Sequence, residues 1–308
     1  MQVSSQKNIR TYLLLHLVII LSSTIPTLVR RIQMEAVEIL FYRTLMAFVL
    51  LGIFIAIKKM DNNLPLRERL EIIASGFLVF LYWGLTFISA KISNASVCLV
   101  GMATTSLWIT FLDPIFSNRA RKPFQFLVGL NATLGIYIIF NSNFEYGWGL
   151  GLSIIGAFFG AILTIYNAKK SSQRSAYVIT YHQMLGALIP TALSLPFFNY
   201  YLMEEGKSIA LTGTVTDFLL ILTLAFVISI FAYSVSIEIM KVIPPFTVAL
   251  VNNLNPIYGT LAAILIFPDA ELMNFGFYLG TLLLLFSVFA YPILNNYSQS
   301  YASKKNAK

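Results

Sequence analysis

The sequence predicts an all-α polytopic membrane protein of ten transmembrane helices, arranged as two inverted five-helix repeats. Three observations predict it. The 308-residue chain is 57% hydrophobic and 11% charged, with mean hydropathy +0.76, whereas soluble domains carry about 25% charged residues. Ten apolar runs approach the length of about 20 residues that a helix needs to cross a bilayer. The lysines and arginines between those runs fall mainly on one side of the membrane.

The runs, in order, are 11–28, 36–57, 70–89, 94–116, 124–141, 147–168, 176–197, 215–237, 244–267 and 273–293. Lys7 and Arg10 precede the first run and Arg30-Arg31 follow it. No A-x-A cleavage pattern closes it, so it reads as an uncleaved first helix rather than a signal peptide. The longest links, 58–69 and 199–214, are too short to be domains. Residues 1–146 form the first expected repeat, 147–294 the second, and 295–308 a polar, mobile cytoplasmic tail.

Charge fixes the expected orientation. Sixteen of the 21 lysines and arginines lie on the side of the N-terminus, four lie on the other, and Arg43 lies inside the second span. Both termini are therefore expected in the cytoplasm, with the chain in a plasma membrane. The same distribution assigns the net charge of +8 to membrane orientation and not to nucleic acid. The single cysteine, Cys98, excludes an intramolecular disulfide and a cysteine metal cluster. His16 and His182 have no metal-ligand spacing. No Walker-type loop, G-x-S-x-G or H-E-x-x-H pattern is present, so neither ATP-driven pumping nor enzyme activity is expected, and no cofactor or metal.

The ninth span is polar at mid-depth. It carries Asn252, Asn253, Asn255 and Pro256. An unpaired polar group in hydrocarbon costs several kcal/mol, so these side chains should face protein or a water-filled cavity. Interrupted helices are where transporters build sites. The alternative is that the amides only join helices. Sliding 95–134 onto 246–285, an offset of 151, matches Val97 with Val248, Ile115-Phe116 with Ile266-Phe267, and Gly129 with Gly280. Tyr42-Arg43 likewise meets Tyr181-His182. Five helices per half force the halves into opposite orientations.

Ala249, Asn255-Pro256-Ile257, Ala270-Glu271-Leu272 and Gly280, together with Arg43, resemble the EamA repeat of the drug/metabolite transporter superfamily. The first half departs from that pattern, with Thr105 where the proline would stand and Arg119-Ala120-Arg121-Lys122 in place of an acidic turn. The resemblance implies a bacterial inner-membrane protein, similar in fold to exporters of amino acids and other small metabolites.

Arg43 reads as a cation aimed at a substrate carboxylate. It reads equally as a snorkelling side chain or a partner of Glu35 or Glu38. Asn252, Asn255 and Tyr258 follow one helical face, with Asn253 rotated about 100° from Asn252. Tyr82, Trp108 and Tyr233 supply polar aromatic tips at mid-span. His182, beside Gln183, can relay a proton or serve as a satisfied hydrogen-bonding residue. Asp113 and Glu238 are expected to face cytoplasmic headgroups or nearby basic residues such as Arg119 and Lys241. Gly147-x3-Gly151 and Gly156-x3-Gly160 are expected to admit close helix contact. Trp148 and Tyr297 read as interfacial belt.

The expected function is a secondary transporter moving a small, amino-acid-like metabolite outward by alternating access. The rivals are an uptake permease or passive facilitator, and a scaffold subunit with no translocated substrate. Expected partners are a small-molecule substrate and the lipid bilayer, with no nucleic acid and a homodimer left open.

Overall fold

The computed structural model describes residues 2–117, 124–142, 144–201, 209, 211–266 and 274–306. Its elements are helical: α1 (Gln2–Ser23), α2 (Ile25–Arg31), α3 (Ala36–Ile57), α4 (Leu66–Ile92), α5 (Ala95–Ala103), α6 (Thr105–Ser117) and α7 (Phe124–Ser142). There follow α8 (Gly147–Ser171), α9 (Ala176–Tyr201), α10 (Val215–Thr223), a π-helical stretch Leu224–Ala232, α11 (Tyr233–Ile239), α12 (Pro245–Asn252), α13 (Asn255–Ile266) and α14 (Phe275–Asn306). No strand occurs among the described residues.

Seven segments among the described residues are long and apolar enough to cross a membrane. They are Ile9–Arg31, Ala36–Ile57, Leu66–Ile92, Ala95–Phe116, Gly147–Ser171, Ala176–Tyr200 and Val215–Ile239. They correspond to the first four expected spans and to the sixth, seventh and eighth. The ninth is interrupted, as its mid-span asparagines and Pro256 predict, and neither of its two pieces is long enough to stand among the seven. It breaks at Asn253-Leu254, and Pro256 sits in the first turn of α13, where a missing N–H has no helical partner to lose. The tail differs from expectation: α14 runs on to Asn306. Glu271 and the loop 118–122 lie outside the described residues.

The fourth expected span breaks in the same manner without a proline. Thr104 N–H donates to Gly101 O (3.1 Å), and Thr104 O accepts from Leu107 N (3.0 Å) and Trp108 N (3.1 Å). In the ninth, Leu254 N–H donates to Val251 O (3.0 Å), and Leu254 O accepts from Ile257 N (3.0 Å) and Tyr258 N (3.1 Å). α5 packs on α13 and α6 on α12, while α3 packs on α9 and α7 on α14.

Several hydroxyls inside these apolar helices are satisfied by their own backbone. Thr44 Oγ1 donates to Leu40 O (2.8 Å), Thr110 Oγ1 to Ser106 O (2.9 Å) and Thr191 Oγ1 to Ala187 O (2.7 Å). That pattern keeps polar groups cheap at membrane depth.

α4 is the hub, packed on α8, α9 and α3. The α4–α9 crossing is set by Gly76 and Gly186, since a Cβ on Gly186 would meet Ile73 O and one on Gly76 would meet Gln183 O. On α8, Gly156 approaches Tyr82 O and Gly160 lies under the Tyr82 ring, as the glycine spacing predicts. Gly151 does not follow that prediction, because it faces open space. Trp148 (85% exposed) and Tyr297 (75% exposed) stand outside the packed core, where interfacial residues belong.

Candidate functional site

The central group is built where α3, α4, α8, α9 and the π-helical stretch meet. Arg43, two turns into α3, is fully buried. Its Nε donates to Ser229 Oγ at 2.7 Å. Its guanidinium carbon lies 3.9 Å from the centroid of the Trp83 ring and 5.3 Å from that of Phe87. Among the described residues, the terminal nitrogens Nη1 and Nη2 have no hydrogen-bond partner. The two alternatives for Arg43 are therefore overturned. It does not snorkel, and Glu38 instead accepts from Glu35 N (2.9 Å) and Leu211 N (2.8 Å).

Ser229 is held by the π-helical geometry. Its Oγ donates to Leu224 O, five residues back, at 3.1 Å. Such stretches are rare and tend to mark functional sites.

Beside Arg43 runs a neutral polar chain. Trp83 meets the Tyr233 ring edge-on at 5.5 Å. Tyr233 O–H donates to Gln183 Oε1 (2.8 Å) and accepts from Asn167 Nδ2 (2.9 Å). Gln183 Nε2 donates to Asn167 Oδ1 (2.7 Å) and Ser75 Oγ (3.0 Å). Every one of these links joins side chains from different helices, so the chain fixes the relative register of α4, α8, α9 and α11.

Of the expected site residues, the structure brings Arg43, Tyr82 and Tyr233 into this group. Tyr82 is an electrostatic neighbour of both. Trp108 and Asn255 lie instead at or beside the two helix breaks. Trp108 meets Phe158 edge-on at 5.2 Å, and its buried Nε1 is unpartnered. Asn255 is buried at the start of α13 with Oδ1 unpartnered. Asn252 is half-buried, and Tyr258 packs against the cluster around Leu15, Ile237 and Val248. His182 stands apart from both groups, its Nε2 at 2.9 Å from Asn62 Oδ1 in the α3–α4 loop.

Gln183 was named above only as a neighbour of His182, and Trp83, Asn167, Ser75 and Ser229 were not among the expected site residues. Asn167 carried a signal, as an amide inside a span. Ser229 carried none, since its stretch is otherwise apolar.

The end of the fold rich in lysine and arginine holds an ion-pair cluster. Arg174 forks onto Glu68 through Nε (3.1 Å) and Nη2 (2.6 Å). Lys170 reaches Glu71 (3.1 Å) and Glu68 (3.8 Å). The Glu68 carboxylate holds the Arg174 guanidinium above its ordinary range. Glu238 pairs with Lys241 at 2.7 Å, as expected. Near this end a cavity of about 530 Å³ is lined by Leu78, Asp113, Ile162, Tyr166, Lys169 and Pro245, among others.

The chain is similar to a solved crystal structure described only as that of a protein. The two share 14% identity and a TM-score of 0.64, over 91% of this chain and 95% of the other. At that identity the likeness concerns the fold alone. No curated protein matches the chain. The motifs that carry the resemblance lie mostly in the second half, whereas the family match falls in the first. Residues 9–141 match the EamA-like transporter family, consistent with a member of the drug/metabolite transporter superfamily.

Proposed function

We propose that the protein is a ten-helix secondary transporter that exports a small, amino-acid-like metabolite across the plasma membrane by alternating access. One observation carries the reading: Arg43 is fully buried, with both terminal nitrogens unpartnered. A charge at membrane depth costs at least about 2.5–3.5 kcal/mol on insertion scales. A fold that keeps it with no carboxylate partner among the described residues supports a ligand as its counter-ion. The matched breaks at Thr104 and Leu254, 150 residues apart, support two inverted repeats. So does the mutual packing of equivalent helices: second with seventh, fourth with ninth, fifth with tenth. The cavity near Asp113 and Lys169 supports an approach to the site from the cytoplasm.

The test is an export and toxicity screen of small amino- and carboxyl-bearing metabolites in expressing cells. Expressing cells should lose at least one internal metabolite faster than cells with the empty vector. Accumulation instead would support uptake, and no change across the panel would favour the scaffold.

Orientation has its own test. Gln173→Cys, on a Cys98→Ser background, places a thiol in the exposed α8–α9 link. It should react with an impermeant maleimide in inverted vesicles and not in intact cells. Reaction in intact cells would sink the arrangement with both termini inside.

A further inference from the structure

We propose that Ser229 is a positioning residue that sets Arg43 for one ligand chemistry, a planar monocarboxylate bound end-on by Nη1 and Nη2. The inference rests on the reading of Arg43 as a ligand-binding cation.

The geometry leaves Arg43 one way to bind an anion. A guanidinium can grip a carboxylate through Nε with one Nη, or through both Nη atoms. Ser229 Oγ occupies Nε at 2.7 Å. Arg43 Cζ lies over the Trp83 ring, 3.9 Å from its centroid, and 5.3 Å from that of Phe87, one turn farther along α4. What remains is the in-plane edge between Nη1 and Nη2, and both are unpartnered in a fully buried side chain. Two coplanar acceptor oxygens match that edge.

Charge narrows the class further. Among the described residues, the polar and aromatic side chains in contact or electrostatic interaction with Arg43, namely Ser229, Trp83, Phe87 and Tyr82, are neutral at pH 7. A monoanion therefore neutralises the site. A tetrahedral dianion would leave one negative charge buried without a partner, which is costly.

Ser229 can hold Nε because it is itself fixed. Its hydroxyl hydrogen goes to Leu224 O at 3.1 Å, a reach that α-helical spacing does not offer and π-helical spacing does. The oxygen lone pairs are thereby turned to Arg43. Without the hydroxyl, Nε is free, and the fork can rotate between its two gripping modes.

The experiment measures binding to purified full-length protein, so it does not depend on finding the transported substrate. Trp108→Phe with Trp148→Phe leaves Trp83 as the single tryptophan, against the Arg43 guanidinium. Its fluorescence is titrated with the series acetate, butyrate and phenylacetate, each against its neutral amide, and with sulfate, a tetrahedral dianion at pH 7. The expected result is that carboxylates change the Trp83 signal and bind at least about tenfold tighter than amides, as a charged hydrogen-bonded pair should. Ser229→Ala should reduce that carboxylate-to-amide ratio about tenfold. Ser229→Thr, which keeps the hydroxyl, should restore it, and Arg43→Lys should lose it. A merely structural serine would change the melting temperature and leave the ratio alone.

Equal binding of carboxylates and amides, binding of sulfate as tight as that of the carboxylates, or an unchanged ratio in Ser229→Ala would each overturn the inference. So would the absence of any carboxylate binding. The transport reading is judged separately, by the export screen.

Discussion

Arg43→Met abolishes export, by about 100-fold or more if the guanidinium grips the ligand, while the amount of folded protein in the membrane stays level or rises. The two halves of this result have one cause. Burying an ion without a counter-ion is costly, and an apolar side chain of similar length removes that cost. Met also fills most of the slot on Trp83, so no large cavity follows. The mutation strands no donor, because the Ser229 hydroxyl hydrogen already goes to Leu224 O. A residue kept for packing would behave oppositely, losing flux only as the protein itself was lost. The measurements are flux per molecule in the membrane and the melting temperature in detergent. Arg43→Met that transports at the parental rate per molecule would remove Arg43 from the site, and a steep fall in melting temperature would make it structural. Arg43→Lys keeps the charge without the planar fork and should recover little of the flux.

The sequence carried the spans and much less of the azimuth. Hydropathy reports how deep a residue lies, and α3, α4, α8 and α9 follow the expected boundaries closely for that reason. It does not report which neighbour a side chain meets. His182 and Gln183 are adjacent and equally polar, yet the backbone turns Gln183 to Tyr233 and Asn167 and His182 to Asn62. Helix interruption was legible where a proline marked it, at Pro256. At Thr104 the same junction forms with no such mark, because the α5–α8 approach brings Gly101 against Ser153 and the Thr104 hydroxyl turns back to Gly101 O at 2.7 Å. The π-helical stretch was not legible at all, since Leu224–Ala232 has the composition of an ordinary apolar helix. What selects it lies partly outside the stretch, in the Arg43–Ser229 contact from another helix.

Asn253→Leu and Asn255→Leu should separate folding from transport within three residues. Asn253 is 1% exposed. With its nitrogen toward Ser106 Oγ, the amide oxygen would face only acceptors; turned over, the oxygen accepts from Ser106 Oγ (2.7 Å) and the nitrogen donates to Ala103 O (2.9 Å) and Ala249 O (3.2 Å). That orientation satisfies the amide and ties the two helix breaks together. Leucine there strands the acceptors that the amide served and removes the tie, at about 1–3 kcal/mol. Asn253→Leu should therefore lower the melting temperature and the amount of protein in the membrane. Asn255 is buried too, but its Oδ1 has no partner. Replacing it removes an unsatisfied acceptor, and a more apolar helix inserts at least as well. Asn255→Leu should keep the protein level and lose flux per molecule, because the acceptor left open at the break of α12 and α13 is the one available to a ligand donor. If instead Asn255→Leu transports at the parental rate, or fails only because the protein disappears, the break serves packing alone and the site contracts to the group around Arg43.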